Sequence, residues 1–569
     1  MVQIKLESNA GLRFSQATLE KIFLIAFFAV FLLIGNGFLF DHRLQHEFPY
    51  AYLASDAFQH QTRAQSIKDA GNYRNEASYI ANGIEGAIGY YPPVLYHLSV
   101  ILSHLSGLEV YDTIYFLVFL FAGLASLIMY IIIRQLNRNA AIISLPISML
   151  VFSNGLYTGF TWGHWPALLS QFFLVCIFWY TSRIDLDYSC IFLCVFISAA
   201  FMTHTSEALF AVIYLVLFLV ASGILKKLDF KAVKNIIFGG IISFAITFYY
   251  LVIFKGIWVP RQPFEFAVSR TWDNPTMYLS DFGVFFLFMI AGAVISLFYI
   301  KKYPVPALSS LAMLLIGSGN YYGFREKAFQ LRFFWPVFLS FFIGFGIYWV
   351  LKLAVRNWKI YHSIVVSLIL IFIIAPTAVP FIPREMSGYI EKMPFIPHYL
   401  ILQTSGIMDR YHWEILEWIE KNTEKNQKIY FFYGDIYSQD ALLRNSKRTH
   451  YLIVPEDYID AIKKREIRRI YDTELPGDSG GGAPYRKSFF SFGFKLDERP
   501  SDSLSGKKDI CSFDYYVFDK ISAQPVFAEY NLLIAGELQN KGATKVFENP
   551  VSIIMKNNNH GDCIGQRNF

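Results

Sequence analysis

Residues 112–133 read DTIYFLVFLFAGLASLIMYIII, and Arg134-Gln135-Leu136-Asn137-Arg138-Asn139 follow. After Asp112 the run carries no charge, and as an α-helix it spans the roughly 30 Å hydrocarbon core of a bilayer. It ends on two arginines, as transmembrane helices do at their cytoplasmic ends. Working outward, similar runs recur at 21–40, 140–153, 165–181, 188–203, 207–225, 235–254, 282–300, 304–318, 332–351 and 361–380. Run 21–40 has no small-residue cleavage signal behind it and reads as a retained span, not a signal peptide. The composition agrees. In 569 residues 54% are hydrophobic and 17% charged, below the roughly 25% charged of soluble domains. With 56 Phe and 36 Tyr the chain is not disordered. The sequence predicts an all-α polytopic membrane domain of about 11 transmembrane helices over residues 1–380. A C-terminal α/β domain follows over 381–569.

One apolar segment, Pro93–Leu108, is short and holds His97, Ser99, Ser103, His104 and Ser106. Whether it crosses decides the side of everything after it. With it left out and the N-terminus inside, the inner segments hold 15 Lys/Arg in 53 residues. The outer segments before the tail hold 10 in about 129, a density more than threefold lower. Counting it as a span scatters the basic loops. The segment is therefore expected to lie in the outer interface as an amphipathic helix. The N-terminus is expected in the cytoplasm and the C-terminal domain outside it.

This topology uses Lys and Arg alone, yet it sorts other polar residues. Asp56, His60, Glu85, His164, His204, Glu207, Asp273, Asp281, Arg325 and Arg332 all fall at or near the outer face. Polar groups beside hydrocarbon are costly and mark sites or pathways. A transporter would place them near the midplane instead. The long first outer loop, 41–112, contains Ser55–Ala70, which reads as a helix capped by Ser55 and ended by Gly71. Asp56 and His60, at i and i+4, share one face of it, within reach of a mutual hydrogen bond. The stretch Gly89-Tyr90-Tyr91-Pro92-Pro93-Val94-Leu95-Tyr96-His97 follows. Thr161-Trp162-Gly163-His164-Trp165-Pro166 reads equally as an interfacial aromatic belt or a site loop. His204 and Glu207, at i and i+3, read equally as a satisfied structural pair. Arg332 suits either snorkelling or holding a lipid phosphate with its planar fork.

Asp56-Ala57-Phe58-Gln59-His60, then Gly71, then Gly89 to His97, resembles the first outer loop of GT-C superfamily glycosyltransferases. These membrane enzymes take sugars from polyprenyl-phosphate or polyprenyl-diphosphate donors. They include oligosaccharyltransferases, protein O-mannosyltransferases and aminoarabinose transferases. The span start Arg332-Phe333-Phe334 and the polar junction at His204 are similar too, and uncharacterised archaeal and bacterial members are the nearest likeness. The resemblance covers residues 20–380 and implies the fold and the donor class. It puts Asp56 at the position of the catalytic or acceptor-orienting acid. The O-mannosyltransferases carry adjacent Asp-Glu where this chain has Asp56-Ala57. The WWD-type motif of oligosaccharyltransferases is missing, since Trp413 and Trp418 stand apart and Gly434-Asp435 lacks a Trp pair.

Sugar transfer from a lipid phosphate needs a base for the acceptor and compensation for the charge of the leaving phosphate. The expected roles are Asp56 as base, His60 as its partner, and Arg332 on the phosphate. Tyr91, His97, His164, His204 and Glu207 would bind substrate. The expected partners are a polyprenyl-phosphate sugar donor, a glycan, lipid or protein acceptor and the bilayer, with no nucleic acid. No resident cofactor is read, and a divalent cation, Mg or Mn, is left open. A transporter or flippase, a polysaccharide polymerase or ligase, and a scaffold remain as alternatives. In the C-terminal domain, helices are expected at Trp413–Lys421 and Tyr458–Ile470. Strands are expected at Lys428–Tyr433, Tyr451–Val454, Tyr515–Phe518 and Val551–Met555. Asp435 and Asp440 read as loop acids. Cys511 and Cys563 would face an oxidising exterior, where they could pair.

Overall fold

The computed structural model describes residues 15–35, 46–72, 77–81, 91–258, 282–319, 331–375, 393, 406–453, 455–472 and 506–565. Of the polar residues singled out above, Glu85, Asp273, Asp281 and Arg325 lie outside these. The helical part comprises α1 (Gln16–Gly35), α2 (Ser55–Ala70), α3 (Val94–Ser106), α4 (Val110–Arg134), α5 (Arg138–Ile147), α6 (Asn154–Thr161), α7 (Trp165–Thr181) and α8 (Ser189–Phe201). It continues with α9 (Thr205–Ile224), α10 (Phe230–Trp258), α11 (Phe285–Leu297), α12 (Pro304–Gly317), α13 (Trp335–Phe338), α14 (Ser340–Ala354) and α15 (Ile360–Ile374).

Among the described residues, every apolar run of the sequence is mainly helical. Four of them, α1, α4, α9 and Phe230–Phe248 of α10, are long and apolar enough to cross a bilayer by themselves among the described residues. The chain is a multi-pass membrane protein. The other helices are shorter than their apolar runs for local reasons. Pro146 lies inside α5, which passes into a 3₁₀ turn at Ser148–Phe152, and Pro336 opens the short α13. Small residues let helices approach closely: a Cβ on Gly292 of α11 would run into the Phe342 carbonyl of α14. One on Gly346 of α14 would run into the Phe288 carbonyl of α11.

Contacts sort the connecting segments into two ends of the bundle. At one end, Glu20 of α1 is buried against Tyr130, Arg134 and Arg138, and Arg138 Nη2 donates to the Gln16 carbonyl at 2.8 Å. Gln135 reaches Ser182 at 3.0 Å, Lys231 pairs with Asp187 at 2.7 Å, and Ser363 reaches Asn139 at 3.2 Å. At the other end, Leu53 N–H donates to the Thr161 carbonyl at 2.9 Å and Val94 N–H to the Met202 carbonyl at 3.1 Å. Tyr52 OH donates to the Tyr111 carbonyl at 2.6 Å. The start of α1 and the end of α4 therefore share one end, and both termini of α3 lie at the opposite end. Thus α3 does not cross. It leaves Ile101 and Leu105 exposed, the latter 81%, and buries Ser99 and Ser103. The helix is therefore amphipathic, with an apolar face exposed and a serine-bearing face buried.

The C-terminal part runs α16 (Arg410–Asn422), β1 (Lys428–Phe431), α17 (Asp440–Leu443), β2 (Thr449–Leu452), α18 (Pro455–Lys464), β3 (Arg469–Asp472), β4 (Gly506–Asp509), β5 (Tyr515–Asp519), α19 (Pro525–Asn540), β6 (Thr544–Glu548) and β7 (Ser552–Lys556). Five strands form one sheet in the order β2-β1-β5-β7-β6. Strand β1 is parallel to β2 and β5, while β7 is antiparallel to β5 and β6. Strands β3 and β4 form a separate antiparallel pair. The helix expected to Ile470 ends at Lys464, where Arg465 turns to φ 56° and the chain re-enters as β3. Cys511 and Cys563 form a disulfide, with Cα atoms 5.3 Å apart.

Helix α2 is unusual for its sequence. SDAFQHQTRAQSIKDA is polar, yet Gln59, His60, Gln61, Thr62, Arg63 and Ser66 are all buried. The reason is position: α2 packs on α3 and α4 on one side and on α17 on the other. Lys447 beyond α17 pairs with Asp69 at 3.3 Å and Glu420 at 2.9 Å. Lys68 reaches Ser103 of α3 at 3.0 Å. Helix α2 thus lies between the helical bundle and the sheet domain.

Candidate active site

The site grows from the first residues of α2. Ala54, not Ser55, holds the N-cap position, and no side chain caps the helix. Asp56 sits in the first turn, where a carboxylate is favoured by the helix dipole. Gly71 ends the helix at φ 66°, as its sequence requires. Gly163 packs directly on the backbone at Asp56 and Ala57, leaving no room for a Cβ. That contact fixes the Asp56 backbone against the loop that bears His164.

Asp56 reaches solvent, and its carboxylate has no hydrogen-bond or ion-pair partner among the described residues. Partial loss of surrounding water pushes its carboxyl up from the usual range. His60, one turn on, points elsewhere than expected. Its Nδ1 is 2.8 Å from the Tyr96 hydroxyl, and no hydrogen bond joins it to Asp56. The ring is 4% exposed and enclosed by Tyr91 at 5.0 Å, edge to face, and by Trp165 at 6.3 Å. Burial holds the His60 imidazole well below its ordinary value, aided by Arg63, His164 and His204. The expected Asp56–His60 pairing is therefore replaced by a His60–Tyr96 pairing. On α3 it is Tyr96 that meets His60; His97 is the next position, about 100° round the helix.

His164 precedes α7, with its ring stacked on Phe333 at 5.0 Å. Burial, with His204 nearby, lowers it to about 4. Arg332 is the neighbour of Phe333 in the chain and is half-buried. His204 precedes α9, and its Nδ1 is 2.5 Å from Oε2 of Glu207. Glu207 is fully buried and also accepts from Gln171 Nε2 at 3.3 Å. Ser170 Oγ donates to the Ala200 carbonyl at 2.9 Å and lies 3.5 Å from that of His204, holding the turn. Four separated stretches thus meet at one end of the bundle, bringing Asp56, His60, Tyr91, His164, His204 and Glu207 together. The mutual influence of His60, His164 and His204 records that proximity.

Sequence reading missed Tyr96 and Trp165 as walls of the site, and Gly163 as its fixing point. Tyr96 was legible as a partner of His60 only through the packing of α3 on α2. No group of three or more His, Cys, Asp or Glu side chains among the described residues is placed to hold a metal ion.

This arrangement belongs to a multi-pass membrane protein that shares its fold with a solved membrane protein. Over nearly its whole length the chain superposes on crystal structures of ArnT from Cupriavidus metallidurans. The form bound to undecaprenyl phosphate aligns at TM-score 0.52 and 10% identity, covering 96% of this chain and 99% of that one. The apo form aligns at TM-score 0.53 and 11% identity, covering 95% and 98%. Archaeal oligosaccharyltransferase AglB from Archaeoglobus fulgidus aligns at TM-score 0.48 and 10% identity, too distant to argue from. No protein-family profile and no curated protein matches the sequence.

Proposed function

We propose that this chain is an integral membrane glycosyltransferase that moves a sugar from a polyprenyl-phosphate-linked donor to an acceptor, with Asp56 as the base. The observation that carries the reading is the Asp56 carboxylate. It stands exposed and unpartnered at the start of an otherwise buried polar helix, against the His164 loop. A carboxyl raised above the usual range is a better proton acceptor than an ordinary one. The fold it shares with ArnT, which was crystallised with undecaprenyl phosphate, supports the donor class.

The reading places the site at the outer face, with the N-terminus in the cytoplasm and about 11 crossings counted from the apolar runs. The basic loops at the bundle end opposite the site support that sidedness. Residues 1–380 form the membrane domain and 381–569 an extracytoplasmic one. In the reaction the acceptor X–H attacks the anomeric carbon, its proton passes to Asp56, and the carbon–oxygen bond to the lipid phosphate breaks. Arg332 balances the charge of the leaving phosphate. His60, locked to Tyr96, and His164, flat on Phe333, wall the sugar chamber with Tyr91 and His97. A flippase needs polar groups at mid-membrane, whereas this cluster sits at one end.

The test uses full-length protein in nanodiscs with a panel of polyprenyl-phosphate sugars. Asp56→Asn is expected to lose about 10²–10⁴-fold in turnover while still binding the donor lipid. Turnover equal to wild type would remove the base assignment.

A further inference from the structure

Three histidines lie near one another at this end of the bundle, and their surroundings differ. His60 gives Nδ1 to the Tyr96 hydroxyl and is walled in by aromatic rings. His164 lies against Phe333, and its surroundings favour the neutral ring. His204 has a carboxylate behind it: Glu207 Oε2 is 2.5 Å from Nδ1. Glu207 is itself 0% exposed, held by Gln171 through its other oxygen. The His204 side chain is 16% exposed, and its Nε2 has no protein partner among the described residues.

A buried carboxylate on Nδ1–H does two things. It fixes the tautomer and the orientation of the ring, and it leaves Nε2 as the open ring nitrogen. Burying a carboxylate is unfavourable unless its oxygens are paired, and both Glu207 oxygens are. The turn bearing His204 is also tied to the active-site loop, through Val94 N–H on the Met202 carbonyl.

We infer that His204, positioned by Glu207 and Gln171, is the proton donor to the lipid phosphate as it leaves. The inference rests on the sugar-transfer reading above and assigns the acid to its base. The anomeric carbon–oxygen bond breaks and its electron pair goes to the phosphate oxygen. The Nε2 proton of His204 passes to a phosphate oxygen. The acceptor's proton passes to Asp56, and the new carbon–oxygen bond forms. His204 then recovers a proton from water and Asp56 releases one, so no other reactant is consumed. Glu207 is a positioning residue here: it touches His204 and not the substrate.

The experiment compares wild type, His204→Ala and Glu207→Gln, full-length in nanodiscs, in transfer from an undecaprenyl-phosphate-linked sugar. His204→Ala is expected to lose about 10²–10⁴-fold in kcat with little change in KM, and added imidazole to restore part of the loss. Glu207→Gln keeps the shape of the side chain and is expected to lower kcat, again with KM nearly kept. It carries the test if His204→Ala does not fold. Imidazole rescue cannot come from a residue that only packs. Wild-type turnover in either variant, or a His204→Ala loss that imidazole leaves untouched, overturns the proton-donor role alone. Wild-type protein that transfers no sugar overturns the sugar-transfer reading, and this role with it.

Discussion

Gly163→Ala separates two contributions that usually arrive together. Gly163 has φ 100°, a conformation that costs an L-residue roughly 1–2 kcal/mol. A Cβ there would also fall within 2.7 Å of Ala57 N, Ala57 Cα and Asp56 C, all backbone atoms of the first turn of α2. Backbone cannot rotate aside as a side chain can, so overpacking adds about 1–3 kcal/mol. Gly71 supplies the control. It has φ 66°, and a Cβ there meets nothing within 4 Å, so Gly71→Ala bears the conformational cost alone. The expected total is about 2–5 kcal/mol for Gly163→Ala against about 1–2 for Gly71→Ala. The excess is released by moving Asp56. Thermal unfolding in nanodiscs should therefore rank the two variants in that order. Sugar transfer should fall steeply in Gly163→Ala under conditions where both remain folded, and little in Gly71→Ala. Equal unfolding temperatures and equal activities would refute the claim that this loop fixes the Asp56 backbone.

Tyr96→Phe removes the hydroxyl from buried His60 and should cost about 1–3 kcal/mol, with a coupling of similar size to His60→Leu in a double-mutant cycle. A coupling near zero would show that their 2.8 Å contact does not matter. In the sheet domain, His412 lies between Asp409 at 2.5 Å and Asp519 at 3.4 Å, and its partners outweigh burial to raise it to about 9. The raised value makes its stabilisation, about 3 kcal/mol, complete below pH 6.5 and lost as pH climbs through about 9. His412→Gln should flatten the unfolding temperature over that window; parallel pH curves for the two proteins would contradict it.

The membrane part was legible because its signals are local. Length of apolar run and density of Lys/Arg are read residue by residue, and the end-to-end contacts of Glu20 with Arg134 and Arg138 agree with the parity they gave. Crossing count was less legible, since breaks such as Pro146 shorten helices without interrupting the apolar run. In the sheet domain, β1, β2, β5 and β7 were read within two or three residues at their ends, whereas α19 and β6 were not seen. Strand β6 is an edge strand with exposed Thr544 and Lys545, so its sequence lacks the apolar pattern of a covered strand. Asp440 was read as a loop acid. It is instead buried, holding Arg444 at 2.5 Å and His450 at 2.9 Å, and these partners depress it to about 2.

The error at His60 follows from the same distinction. Spacing i and i+4 says that two side chains share a helix face, not that they point at each other. Asp56 lies at the open end of α2 and His60 a turn deeper, where α3 covers it. An imidazole losing its water takes the nearest hydrogen-bonding group, and the Tyr96 hydroxyl is nearer than a carboxylate still in solvent. Pairing the two would require burying the carboxylate or exposing the ring, and either costs more than the hydrogen bond returns. The consequence reaches the chemistry. Asp56 keeps its carboxylate exposed because His60 is occupied elsewhere, and the carboxylate-backed histidine at this end of the bundle is His204, in the turn before α9. Asp56, from the first turn of α2, and His204, from the turn before α9, thus reach this end of the bundle on separate elements, each with its own partners already decided.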